Sequence, residues 1–90
     1  MILPDDVSID LQKRLRRIEG QVRGIQQMLA DDSRECRDII AQVSAASKAL
    51  DQVGMRVLVN GMSRCLADPE VASQEGYSID EVERLFLKLA

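Results

Sequence analysis

Leu11, Leu15, Ile18, Val22, Ile25 and Leu29 recur three or four residues apart, the spacing of one apolar face on an α-helix. The pattern predicts a first helix from about Ile9 to Leu29. Ser8 is placed to cap it, and Asp10 falls in the first turn, where the helix dipole favours a carboxylate. Met1–Val7, with Pro4 and two aspartates, has no period and reads as a flexible arm. Ala30-Asp31-Asp32 makes a turn.

From Asp32 to Leu66 the chain has no proline, and helical spacing predicts one long second helix. Asp32 or Ser33 would cap it, with Glu35 placed to complete a capping box from Asp32. Cys36, Ile40, Val43, Ser47, Leu50, Gly54, Leu58, Gly61 and Cys65 fall within about 40° of one direction and form its inner stripe. Gly54 and Gly61 each cost about 1 kcal/mol relative to alanine inside a helix. Their place on the stripe points to close approach of another helix, with a bend at Gly54 as the competing reading. Asn60-Gly61 also reads as a turn that would end the helix early, although Val57, Leu58, Met62 and Leu66 keep helical spacing around it.

Ala67–Tyr77 reads as a connector, broken by Asp68-Pro69 and Glu75-Gly76. Ser78-Ile79-Asp80-Glu81 is a capping-box signature for a third helix with Val82, Leu85, Phe86 and Leu89 on its apolar face. No strand pattern appears. The expected fold is all-α, with residues 1–90 forming one small domain.

Three helices, one of them very long, cannot close a core alone. The two cysteines lie at opposite ends of the long helix, about 43 Å apart along its axis yet within about 20° of one direction. Two such helices laid antiparallel would bring Cys36 of one chain toward Cys65 of the other. With each long helix covered by its own first helix, the pair is a four-helix-bundle dimer, and the third helices would cap it or join two dimers.

An apolar fraction of 46% with 30% charged residues suits a folded chain. No apolar run approaches the roughly 20 residues of a membrane span, and Asp5 and Asp6 interrupt any secretory signal. The expected location is the cytoplasm, with no membrane partner. Two cysteines there are more readily metal-binding or redox-responsive than a permanent staple.

With no histidine in the chain, imidazole acid–base chemistry and the commonest nitrogen metal ligand are absent. There is no Cys-x-x-Cys pair, no phosphate loop and no paired carboxylates, so an enzyme is not expected. Cys36 and Cys65 read either as small buried hydrophobes or as a reactive pair. Arg34 and Arg64, each one residue before a thiol, could stabilise a thiolate or be solvated surface charges. The net charge of −3 argues against nucleic acid, but the distribution does not: Lys13, Arg14, Arg16 and Arg17 make the first helix locally basic. That face is either solvated or a phosphate-contact surface, which Arg23, Lys48 and Arg56 could extend.

LQKRLRRIEGQVRGIQQML followed by CRDIIAQVSAASKALDQVG resembles the CsoR-type copper-sensing transcriptional repressors, a family that also holds nickel, formaldehyde and persulfide sensors. The resemblance runs from about Leu11 to Leu89, and its most specific part is RIEGQVRGI, Arg17 to Ile25, followed by Cys36. It implies an all-α protein, dimers of antiparallel long helices, a disc-like dimer of dimers, and operator DNA as partner. In copper sensors the site is a cysteine, a histidine and, four residues later, a second cysteine. Cys36 and Cys65 match the cysteines, but Gly61 stands at the histidine position and has no ligand atom. Nickel and cobalt sensors need further histidines. Formaldehyde sensors have proline at the second residue, which here is Ile2, with Pro4 displaced.

A Cys–Cys pair without the histidine resembles the persulfide-sensing branch, which usually has asparagine at that position. Here Asn60 sits one place too early. Glu81 matches a supporting position behind the copper ligands, although its place after Ser78 accounts for it as a capping residue; the tyrosine found before the first cysteine of some copper sensors is Glu35. The expectation from resemblance is a DNA-binding repressor, with no cofactor, whose inducer is a persulfide or polysulfide that links Cys36 to Cys65 of a second chain. The alternatives are a Cu(I) sensor using the two thiolates alone and a structural helical bundle with inert cysteines.

Overall fold

The computed structural model describes residues 3–76 and 78–90. Met1, Ile2 and Tyr77, which include the start of the expected arm, the formaldehyde-sensor position and the end of the expected connector, lie outside the described residues. The chain is all-α: α1 spans Asp5–Leu29, α2 Cys36–Ala67, α3 Pro69–Gln74 and α4 Ile79–Leu89, with no strand among the described residues.

The first helix begins four residues before its expected start. Pro4 occupies the N-cap at φ −57°, and Asp5 and Asp6 fill the first turn. Proline's fixed φ leads the chain into the helix, and the two carboxylates face the positive end of the dipole. Ser8 is therefore inside the helix, where its N–H donates to the Pro4 carbonyl at 3.0 Å and its hydroxyl accepts from Gln12 Nε2 at 3.2 Å. The described part of the expected arm is anchored, because Leu3 and Val7 pack against Leu11, Ile18 and Val53. Apolar burial, which the aspartates mask in the sequence, holds it down.

The expected capping box from Asp32 does not form. Asp31 instead takes both the N–H and the hydroxyl of Ser33, at 3.0 and 2.6 Å, and this tight turn delays the helix until Cys36. Glu35 becomes the N-cap without a side-chain hydrogen bond. From there α2 runs unbroken for 32 residues, through Gly54 and through Asn60-Gly61, so neither glycine ends it. The connector holds a helix that the sequence pattern does not predict. Asp68 accepts from the Val71 N–H at 3.2 Å and Pro69 starts the turn, so a pair that reads as a breaker is an N-cap followed by proline at the first helical position. Gly76, at φ 86°, then turns the chain back along α2. The cap of α4 is as expected, with the Ser78 hydroxyl accepting from the Glu81 N–H at 3.2 Å.

The helix α2 serves two separate cores. On one side α1 packs Leu11 and Ile18 against Val53, with Ala49 and Val57 alongside. On another, Leu58 and Cys65 meet Ala72 of α3 and Val82, Leu85 and Leu89 of α4. The protomer measures 57 × 25 × 14 Å, with a radius of gyration of 17.1 Å against about 12 Å for a compact domain of this length. A thickness of 14 Å is little more than one helix. The single layer leaves Leu15, Val22 and Leu29 of α1, and Ile40, Val43 and Leu50 of α2, exposed.

Gly54 lies under α4. A Cβ there would sit 3.0 Å from both δ-methyls of Leu89, so the glycine admits the end of α4. Gly54→Val should therefore cost about 1–3 kcal/mol through overpacking. Gly54→Ala regains about 1 kcal/mol of helix propensity against a small shift of the Leu89 side chain, and should stay within about 1 kcal/mol of the parent. Urea midpoints at fixed protein concentration test both; equal midpoints for the valine variant and the parent would contradict this packing.

Candidate functional site

The two thiols occupy opposite ends of α2 and opposite environments. Cys36 is its first residue and is exposed at the electropositive end, where backbone N–H groups lack intrahelical acceptors. Cys65, two residues before the C-terminus of α2, is 5% exposed and enclosed by Leu58, Ala72 and Val82. The stripe expected to face a partner is thus divided. Its first half, Cys36 to Leu50, is open, whereas Leu58 to Cys65 is covered by α3 and α4 of the same chain.

Neither neighbouring arginine is free to face a thiol alone. Arg34 pairs with Asp31 at 3.4 Å. The Ser33 hydroxyl and N–H, with the Arg34 cation beside them, hold the Asp31 carboxyl below its ordinary value. Arg64 pairs with Glu75, the C-cap residue at the far end of α3. Gly61 is buried one turn before Cys65 and adds no donor atom. Asn60 lies about 140° around the helix from Cys65, and its Oδ1 is buried without a hydrogen-bond partner among the described residues. It does not complete the thiol site.

A metal would therefore find two thiolates and little else. Among the described residues no three His, Cys, Asp or Glu side chains come together. The chain can offer a soft two-sulfur site, suited to Cu(I), only if the ends of two long helices meet. A groove of about 710 Å³ lies at the α1–α2 turn beside Asp31, Arg34 and Asp38, and no cysteine lines it.

The basic residues separate into two sets. Arg14 and Arg17 line a small notch of about 150 Å³ with Gln21, Ala49 and Gln52, at the seam of α1 and α2. Arg14 donates to Asp10 at 3.0 Å. That bond, reinforced by the charges of Arg14, of Arg56 on α2 and of Lys13, lowers the pKa of Asp10. Arg16 and Arg23 sit about 160–180° around α1 from Arg14, and Arg23 lines a different groove with Leu15 and Val22. Lys48 is exposed on α2. Helical spacing does not reveal the Arg64–Glu75 pair; an acidic residue beside a turn glycine is its one visible signal in the sequence.

A family model described as metal-sensitive transcriptional repressor matches residues 8–88. The chain belongs to that family. The copper-sensing transcriptional repressor CsoR of Bacillus subtilis (strain 168) is 40% identical over 78 residues, 87% of this chain and 76% of that protein. The copper-sensing transcriptional repressor RicR of Mycobacterium tuberculosis is 46% identical over 54 residues, 60% of this chain and 55% of that protein. The crystal structure of the copper-sensing repressor CsoR with Cu(I) from Geobacillus thermodenitrificans superposes with a TM-score of 0.78 at 36% identity, covering 98% of this chain and 91% of that one. As a metal-sensitive repressor the chain is a regulator and not an enzyme. These relatives favour the copper alternative over persulfide sensing.

The enclosure of Cys65 has a measurable cost of disruption. Val82, at 1% exposure, is the most buried large side chain. Val82→Ala should lower stability by about 1–3 kcal/mol through lost burial and a cavity beside the thiol. Leu87→Ala, on the exposed side of α4, should change it by under about 0.5 kcal/mol. Comparable losses for both in denaturant titrations would place Cys65 outside a true core.

Proposed function

We propose that this repressor releases its operator when Cu(I) is held by Cys36 of one protomer and Cys65 of the partner subunit in an antiparallel pair. The observation that carries the reading is the match to a Cu(I)-bound copper-sensing repressor across 98% of the chain. The placement of the only two thiols at opposite ends of α2 supports it. A single protomer cannot bring these ends together, and its open apolar face of Ile40, Val43 and Leu50 lies beside Cys36. Thiolates bind Cu(I) as soft donors, and two suffice for linear coordination. Operator phosphates are contacted by the seam of Arg14 and Arg17, with Lys13 and Arg56 beside it. Arg16, Arg23 and Lys48 belong to the same field on other faces.

A second reading is favoured by Gly61, which leaves the pair without a third donor. Here a persulfide RSSH transfers its outer sulfur to the Cys36 thiolate, giving a Cys36 persulfide and RS⁻. The Cys65 thiolate of the partner subunit then attacks the inner sulfur, forming an inter-chain disulfide and expelling HS⁻. The cysteines are oxidised and the sulfane sulfur is reduced. Either inducer would tie the chains together at both ends of the helix pair and disfavour the DNA-bound shape.

Operator binding by reduced protein, measured under anaerobic conditions, separates the readings. One Cu(I) per protomer should abolish binding, and Cys36→Ser should still repress but no longer respond. If Cu(I) leaves the complex intact while an organic persulfide releases it and mass spectrometry finds Cys36–Cys65 links between chains, the second reading replaces the first. Arg14→Ala and Arg17→Ala should weaken binding and flatten its dependence on log salt by about 0.9 for each phosphate no longer neutralised. An unchanged slope would move the DNA surface elsewhere.

A further inference from the structure

Among the described residues, one side-chain ion pair joins the cover over Cys65 to α2. Among the described residues the other ion pairs, Arg14–Asp10, Arg34–Asp31 and Arg37–Glu35, each join neighbours within four positions. Arg64–Glu75 spans eleven positions and ties the last turn of α2 to the elbow after α3. It is also the most shielded pair, with side chains 39% and 26% exposed. A helix of six residues has little stability of its own. It is held by the Asp68 cap, by Ala72 at 2% exposure, and by this pair. Glu75 immediately precedes Gly76, where the chain reverses into α4. Fixing Glu75, the C-cap residue of α3, therefore holds α3 and its Ala72 against Cys65.

We propose that Arg64 and Glu75 are positioning residues, a clasp that holds α3 and α4 closed over Cys65 and sets how readily a thiol-seeking inducer reaches it. Arg64 acts through Glu75 and not on the sulfur. Opening need not unfold the protein: a short terminal element with a small apolar contact can open locally at far lower cost than the whole chain. Within the protomer Cys36 has no such cover. The functional consequence rests on the reading of Cys65 as a sensing thiol, whereas the clasp itself does not.

Timed alkylation of the reduced, full-length protein with iodoacetamide, read separately at each cysteine by mass spectrometry, tests it. In Glu75→Ala, labelling of Cys65 should rise about tenfold, the scale expected on losing one charge-assisted hydrogen bond from a local closure. The helical circular dichroism should be unchanged. The reversed pair, Arg64→Glu with Glu75→Arg, should restore slow labelling of Cys65, which a merely structural loss would not do. An unchanged Cys65 rate, or failure of the reversed pair to restore protection, would each overturn the clasp. The Cu(I) and persulfide concentrations that release operator DNA should also fall in Glu75→Ala. Faster labelling with no such fall would uphold the clasp and overturn the sensing role of Cys65.

Discussion

A protomer one helix thick buries only two narrow cores of its own. The packing of α1 on α2, and of α3 and α4 on the other end of α2, buries two narrow seams and leaves the broad sides of the layer to water. Secondary structure becomes a stable domain by stacking layers. Here the second layer must come from outside the chain, and the exposed Val22, Ile40 and Leu50 show where it would lie. Both proposed inducer sites arise from the same constraint. An unbroken helix of 32 residues separates its ends more widely than any side chain can span, so the proposed chemistry between Cys36 and Cys65 requires two chains.

The same rod gives its two thiols different characters. One cysteine begins α2, where the short Asp31–Ser33 turn leaves it uncovered. The other lies where the chain doubles back twice, first through α3 and then through α4. Identical side chains on one helical face therefore differ in access because two later helices fold back over one end of the rod and none over the other. Gly54 serves this arrangement: it lets the end of α4 settle against α2.

Much of the architecture is legible from spacing. The apolar period marks α1 and α2, and the Ser78 cap marks α4, because each depends on residues close in sequence. Sequence reading fails where local signals compete. Ser8 and Pro4 are both sound helix starters, and burial of Leu3 and Val7 decides for Pro4. Asp31 and Asp32 are both sound caps, and the bond to Ser33 decides against a capping box. Asp68-Pro69 reads as a breaker because of what proline prevents inside a helix, although it equally begins one. At the site, periodicity places both thiols on one face but cannot show that α4 covers only one of them, since that depends on where a later helix packs. Likewise, the partner of Arg64 lies eleven residues away, beyond any helical period. The choice between copper and sulfur rests in the sequence on the missing donor at Gly61, and the relatives shift it toward the metal.

Twofold symmetry has a further consequence for a rod with a thiol at each end. The proposed antiparallel pair would have not one shared site but two, about 43 Å apart, each built from one cysteine of each chain. Filling the first makes the dimer asymmetric, with one end tied and the other loose. The bundle can then act as a two-input device, in which the half-filled form is a distinct molecular species whose hold on DNA sets whether the response is graded or abrupt.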